Sequence, residues 1–184
     1  MMRQIRALVC VVALMCCWGQ YSAAQHRDPL SEKEIDEMRE VADYPNKRLE
    51  LMVGFARARM SSIQKLRADP KSAADRPMQI HDLLQDFTSL LDEIDDNIDM
   101  YGSHKTDMRN GLKLVIEADS EWQIQLRQLK EKSPAEELQQ YSFVLTNALE
   151  AARDNGDSAR KALDEQNTLA QQKKLIKVYS ERPD

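Results

Sequence analysis

Leu138, Tyr141, Leu145, Ala148, Ala152, Asn155, Ala159, Ala162, Gln166 and Leu169 follow one another at alternating steps of three and four residues. Ten positions in unbroken alternation put one side of a helix against its neighbours over many turns, and no strand can use that spacing, because strand side chains change face at every residue. The rest of the chain beyond residue 25 repeats the same period, with no stretch alternating at period two. The expected fold is therefore all-α: an antiparallel up-down bundle of four long helices plus a short N-terminal helix.

Punctuation residues set the expected helix bounds at about 32–43, 45–68, 78–100, 106–131 and 134–174. Ser31 with Glu34 three residues on is a capping box that opens the short helix, and Ile35, Met38, Val41 and Ala42 form its stripe. Tyr44-Pro45 ends it. The next stripe is Leu49, Met52, Val53, Ala56, Met60, Ile63 and Leu66, closed by Asp69-Pro70, and the third is Ile80, Leu83, Leu84, Phe87, Leu90, Leu91, Ile94 and Ile98. Met108, Leu112, Val115, Asp119, Trp122, Leu126 and Leu129 form the fourth. Ser133-Pro134 with Glu136 reads as a second capping box and the start of the last helix.

Gly156, within Asp154-Asn155-Gly156-Asp157-Ser158, is where the last helix could break, since glycine costs about 1 kcal/mol in a helix interior. The seam keeps register across it, which favours one continuous helix. Such a helix would be about 60 Å long at 1.5 Å per residue and would overhang its neighbours. The short helix at 32–43 and the tail Leu175 to Tyr179 are the candidates to cover that overhang. Two shorter helices broken at Gly156 are the alternative.

Met1 to Ala24 has the layout of a secretory signal peptide. Arg3 and Arg6 precede the apolar run Ala7 to Trp18, and Ser22 and Ala24 are the small residues before the cut. The run is shorter than the ~20 apolar residues a membrane span needs. Cys16 and Cys17 raise the question of a lipid anchor, but Met15 and Cys16 stand where such a site wants a small residue. Cleavage after Ala24 would leave a single helical domain, 25–184, in a periplasmic or secreted location. It would also remove Cys10, Cys16 and Cys17, the only cysteines, and with them disulfides and thiolate chemistry. The remaining chain has 24 basic and 31 acidic residues, a net charge of −7. That balance argues against nucleic acid as a partner, because phosphate binding needs a cationic face.

Charge is unevenly distributed. Residues 45–68 carry a net +5, and residues 78–100 hold seven acids and no Lys or Arg. Opposite faces of this kind attract across neighbouring helices, although an acidic face that is merely solvated accounts for the pattern equally well.

Sites of chemistry are sparse. Asp92, Asp95, Asp96 and Asp99 share one helix side, which does not wrap a cation. No Glu-x-x-His, His-Glu-x-x-His, EF-hand or glycine-rich phosphate motif occurs. Met100, His104 and Met108, spaced four apart, are the metal candidates, since thioether and imidazole suit copper; Met78 and His81 are a smaller pair. Methionine at helical spacing is more often core filler. Asp119 is a polar seam position that needs a partner, either a cation or a polar seam residue such as Asn155 or Gln166. Nothing places a nucleophile beside a base, so no catalytic residue and no cofactor are expected, and the protein reads as non-enzymatic.

The run Leu30 to Glu40 followed by Pro45-Asn46-Lys47-Arg48-Leu49-Glu50-Leu51 resembles the start of secreted all-helical bacterial proteins without assigned function. The likeness extends over residues 30–66 and implies a bacterial periplasmic or extracellular setting, with no site residues to carry over. The expected function is an exported helical bundle acting through protein–protein interaction, self-association or a structural role. The alternative is a periplasmic bundle that binds or senses a metal or small ligand.

Overall fold

The structure is a computed structural model, described here for residues 28–103 and 106–180; the apolar N-terminal segment and His104 lie outside that range. Five α-helices are present among the described residues, and no strand: α1 (Glu32–Glu40), α2 (Pro45–Ala68), α3 (Arg76–Ser103), α4 (Arg109–Lys132) and α5 (Ala135–Ser180). They pack together as a helical bundle.

Local chemistry explains where the helices begin and end. The Ser31 side chain accepts from the Glu34 amide while the Glu34 carboxylate accepts from the Ser31 amide at 2.8 Å, completing the expected capping box at the start of α1. That helix stops at Glu40, earlier than the stripe suggests, and the chain turns through Val41–Asp43 to reach Pro45, which disfavours helix in the residue before it. α3 begins at Arg76, with Pro77 inside its first turn where no amide donor is needed. α4 starts at Arg109 rather than near 106, because the Met108 amide is held by the Gln166 side chain at 2.9 Å. The second capping box does not form. The Ser133 hydroxyl is bonded instead to the Leu129 carbonyl and accepts from the Tyr141 hydroxyl at 2.7 Å. Burial pushes the Tyr141 phenol upward, so it stays the donor in this contact.

Four helix pairs account for most of the packing: α2 with α3, α2 with α4, α3 with α5, and α4 with α5. The long helices thus close a ring in which α3 and α4, consecutive in sequence, face each other across the core. There Phe87 of α3 and Trp122 of α4 meet edge to face at 5.4 Å. Both side chains are fully buried. Small residues on α5 (Ala148, Ala152, Ala159) let it lie close to both neighbours and leave the central volume to these aromatics. α2 and α4 come together at Gly111, where an added Cβ would sit 2.8 Å from Leu49 Cδ1. Asn46 at the start of α2 bridges to the start of α4, donating to the Asp107 carbonyl and accepting from the Gly111 amide, both at 2.8 Å.

α5 is continuous through Gly156 and runs 46 residues, about 69 Å at 1.5 Å per residue, against about 36 Å for α4. Among the residues whose burial is described, the last fully buried one in α5 is Ala159. The overhang is real, but α1 does not cover it. Met38 of α1 is buried against α2, the Arg48 guanidinium reaches the Met38 carbonyl, and Arg59 binds both the Pro29 carbonyl and the Glu34 carboxylate. The tail is itself the end of α5.

The charge contrast between α2 and α3 is spent differently from the simple expectation. Arg59 pairs with Glu34 of α1, Arg57 pairs with Glu121 of α4 at 3.1 Å, and Arg48 donates to the neutral Asn97 of α3 at 2.9 Å. Asp86 of α3 acts on Arg59 through its field.

Arg59 holds the Glu34 carboxyl at about 2, well below its ordinary 4.5. A depressed carboxyl stabilises the fold above the ordinary value, and that contribution disappears as pH falls from about 4.5 toward 2. Glu34→Gln is expected to cost about 1 kcal/mol at neutral pH and to flatten the decline in urea midpoint over the acid window. Identical pH profiles for the two proteins would contradict the assignment.

Candidate functional site

Asp119 is completely buried in α4, at the seam position its spacing indicates. A carboxylate there needs donors, and two side chains supply them. Gln123, one turn along the same helix, donates at 3.0 and 3.1 Å, and Arg160 of α5 donates from Nη2 to Oδ2 at 3.0 Å. Arg160 is partly exposed and also binds Asp157 at 2.8 Å, so it joins the buried carboxylate to the surface. The partner is thus a cation, while the two polar seam residues are used elsewhere. Asn155 donates to the Leu91 carbonyl of α3 at 3.0 Å, and Gln166 holds the residues between α3 and α4, donating to the Thr106 carbonyl at 2.8 Å.

Gly156 makes the Asp119 arrangement possible. A Cβ built on it would lie 2.3 Å from Asp119 Oδ2 and 2.5 Å from Cγ. The glycine that reads as a possible helix break is a packing requirement: the carboxylate occupies the space a side chain would fill. Spacing alone does not reveal this, because it depends on which α4 residue faces position 156. Arg160, four residues beyond Gly156, was the available signal, since i and i+4 share a helix face.

Of the metal candidates Met100, His104 and Met108, the structure describes the two methionines, and His104 lies outside the described residues. Met108 is fully buried in the core beside the start of α4, whereas Met100 is 45% exposed on α3. Met78 is exposed at the other end of α3, where the His81 ring faces Asp82 at 3.3 Å. No cluster of three His, Cys, Asp or Glu suited to a metal occurs among the described residues. In the acidic row, burial together with the neighbouring Asp96 and Asp95 raises the Asp92 carboxyl above its ordinary value.

A shallow cleft of about 420 Å³ opens where α5 passes the end of α3 and the start of α4, between Thr106, Asp107, Arg109, Gln166, Leu169 and Lys173. Arg109 accounts for most of its charge balance. Its guanidinium binds Asp107 at 2.6 Å and holds that carboxyl at about 2. The cleft can seat an apolar side chain against Leu169 with charged groups at its rim. Its described lining lies at the base of the α5 overhang, shared between α5 and the residues around the start of α4.

The Asp119 and Gly156 contact inverts the usual effect of a helical glycine. Gly156→Ala ordinarily gains about 1 kcal/mol in a helix interior; here it is expected to lose about 1 to 3 kcal/mol through overpacking. In a double-mutant cycle with Asp119→Ala, read by urea denaturation, part of that loss should return as a favourable coupling of about 1 kcal/mol. A neutral or stabilising Gly156→Ala would contradict the contact.

No protein-family model matches the chain, and neither the curated proteins nor the solved structures include a significant match, so geometry alone carries the functional reading.

Proposed function

We propose that the protein is an exported, non-enzymatic helical bundle that works by binding protein through its last helix. The single observation that carries this reading is α5, which outruns the rest of the bundle and ends with Leu169 and Ile176 exposed at 39% and 68%. A helix that continues past its own core gains nothing for the fold, and apolar residues held there at heptad separation suit a protein surface.

The scaffold behind this reading is an antiparallel up-down bundle of four long helices. Its support is the set of contacts between helix ends. Arg48 near the start of α2 reaches Asn97 near the end of α3; Met108, just before α4, is held by Gln166 in the second half of α5, and Ser133, just after α4, meets Tyr141 near the start of α5. Such a scaffold, braced by the Asp119 and Arg160 pair, fixes the direction in which the overhang leaves the core. Export follows from the N-terminal segment, with its two arginines, short apolar run and small residues before position 25. Removal of that segment would leave a chain without cysteine.

A photoreactive residue in place of Ile176, in the exported protein, tests the reading. It is expected to give a discrete protein adduct, with none from the same group at exposed Lys65, toward the far end of α2. Equal labelling at both positions, or no adduct at Ile176, would count against it.

A further inference from the structure

We propose that the overhang of α5 docks on a second copy of this chain, along the acidic row of α3, to form a two-fold dimer. This rests on the reading of α5 as a protein-binding helix and names its partner. Three observations point to a second copy.

The first is charge. Residues 166–180 contain three lysines and no acid, and Lys173 and Lys174 are exposed. On α3, Asp92, Glu93, Asp95, Asp96 and Asp99 put five acids into eight residues, and none of them has an ion-pair partner among the described residues. Four of the five are exposed. Partial burial, and after it the charges of Asp96 and Asp95, disfavour the charged form of Asp92. Two like-charged overhangs would repel each other, so the complementary contact is overhang to acidic row.

The second is length. Gln166 fixes α5 to the residues that follow α3, so both features lie at one end of the bundle. From Gln166 to Ser180 the helix extends about 21 Å, and the acidic row lies about 6 to 17 Å back from Ser103 along α3. Two bundles meeting end to end would bring each overhang alongside the other's row, with Lys173 and Lys174 inside its span.

The third is continuity of the seam. Leu169 and Ile176 extend the alternation of α5 beyond the core by one heptad, with Lys173 between them. Lys173 takes the seam position itself, and Lys174 and Lys177 each follow a seam position by one residue, a pattern that matches an acidic helix rather than a second basic one. The arrangement is isologous: each copy gives a tail and receives one, so the contact closes at two copies.

Light scattering after size exclusion, with sedimentation equilibrium on the full cleaved chain, tests the proposal. The expected result is a dimer that weakens about tenfold or more between about 0.05 M and about 0.5 M salt. Lys173→Glu with Lys174→Glu should weaken it at least about tenfold while helical circular dichroism is unchanged. Adding Asp92→Lys and Asp96→Lys to that variant should restore the dimer by exchanging the two charges. A monomer at low salt overturns the proposal, as does a dimer indifferent to the lysine reversal or one that the four-fold exchange fails to restore. Binding of the monomer to vesicles containing anionic lipid, abolished by the same reversal, would assign the tail to a membrane surface and overturn it too. A monomer whose Ile176 photoadduct is a different protein overturns the second copy as partner and leaves the protein-binding reading standing.

Discussion

A buried carboxylate set against a missing side chain is the contact on which the bundle's geometry depends. Asp119 cannot be accommodated in the core without a cation, and Arg160 reaches it only if α5 remains helical from Gly156 to Arg160. Gly156 must lack a Cβ for the two helices to approach this closely. Each of the three residues is unfavourable alone: a charge in an apolar core, a glycine within a helix, and an arginine on a partly buried face. Together they lock α4 to α5 in one register, the role for which a buried polar group in a helical seam is best suited.

From that lock the remaining packing follows. Alanines on α5 above and below Gly156 keep it close to α3 and α4, so Phe87 and Trp122 can meet in the middle of the ring. Asn155 ties α5 to the backbone of α3 on one side, and Gln166 ties it to the approach to α4 on the other. Among the described residues, no comparable hydrogen bond holds α5 beyond Gln166. The helix continues for about four turns as a projection whose direction is set by the contacts behind it. α1 contributes elsewhere, clamped to α2 by Arg59 and Arg48, where its acids offset part of the positive charge of α2.

Much of this was legible in the sequence, for reasons that can be located. The helical period, the Ser31 and Glu34 box, Pro45 as a first-turn residue and Asp119 at a seam position all depend on neighbours within a few residues. Features that depend on distant parts of the chain were not legible. Ser133 has the pattern of a cap but is drawn to Leu129 and Tyr141, because Tyr141 is buried and needs an acceptor. The short helix looked free to cover the overhang, yet Arg59 and Arg48 on α2 hold it in place. Spacing puts Met100 and Met108 on one period but does not show that the core encloses Met108 while Met100 stays 45% exposed. The Gly156 contact belongs to this class as well, since its meaning lies in the helix opposite.

Amide hydrogen exchange along α5 tests the central claim most directly, because it reads the continuity of this helix residue by residue. The account predicts the slowest exchange in α5 from about Ala152 to Arg160, with Gly156 and Asp157 as protected as their neighbours, and a steep fall in protection beyond Gln166. Fast exchange at Gly156 to Ser158 between two protected segments would contradict it, because the Asp119 pocket could not then be what holds the helices in register.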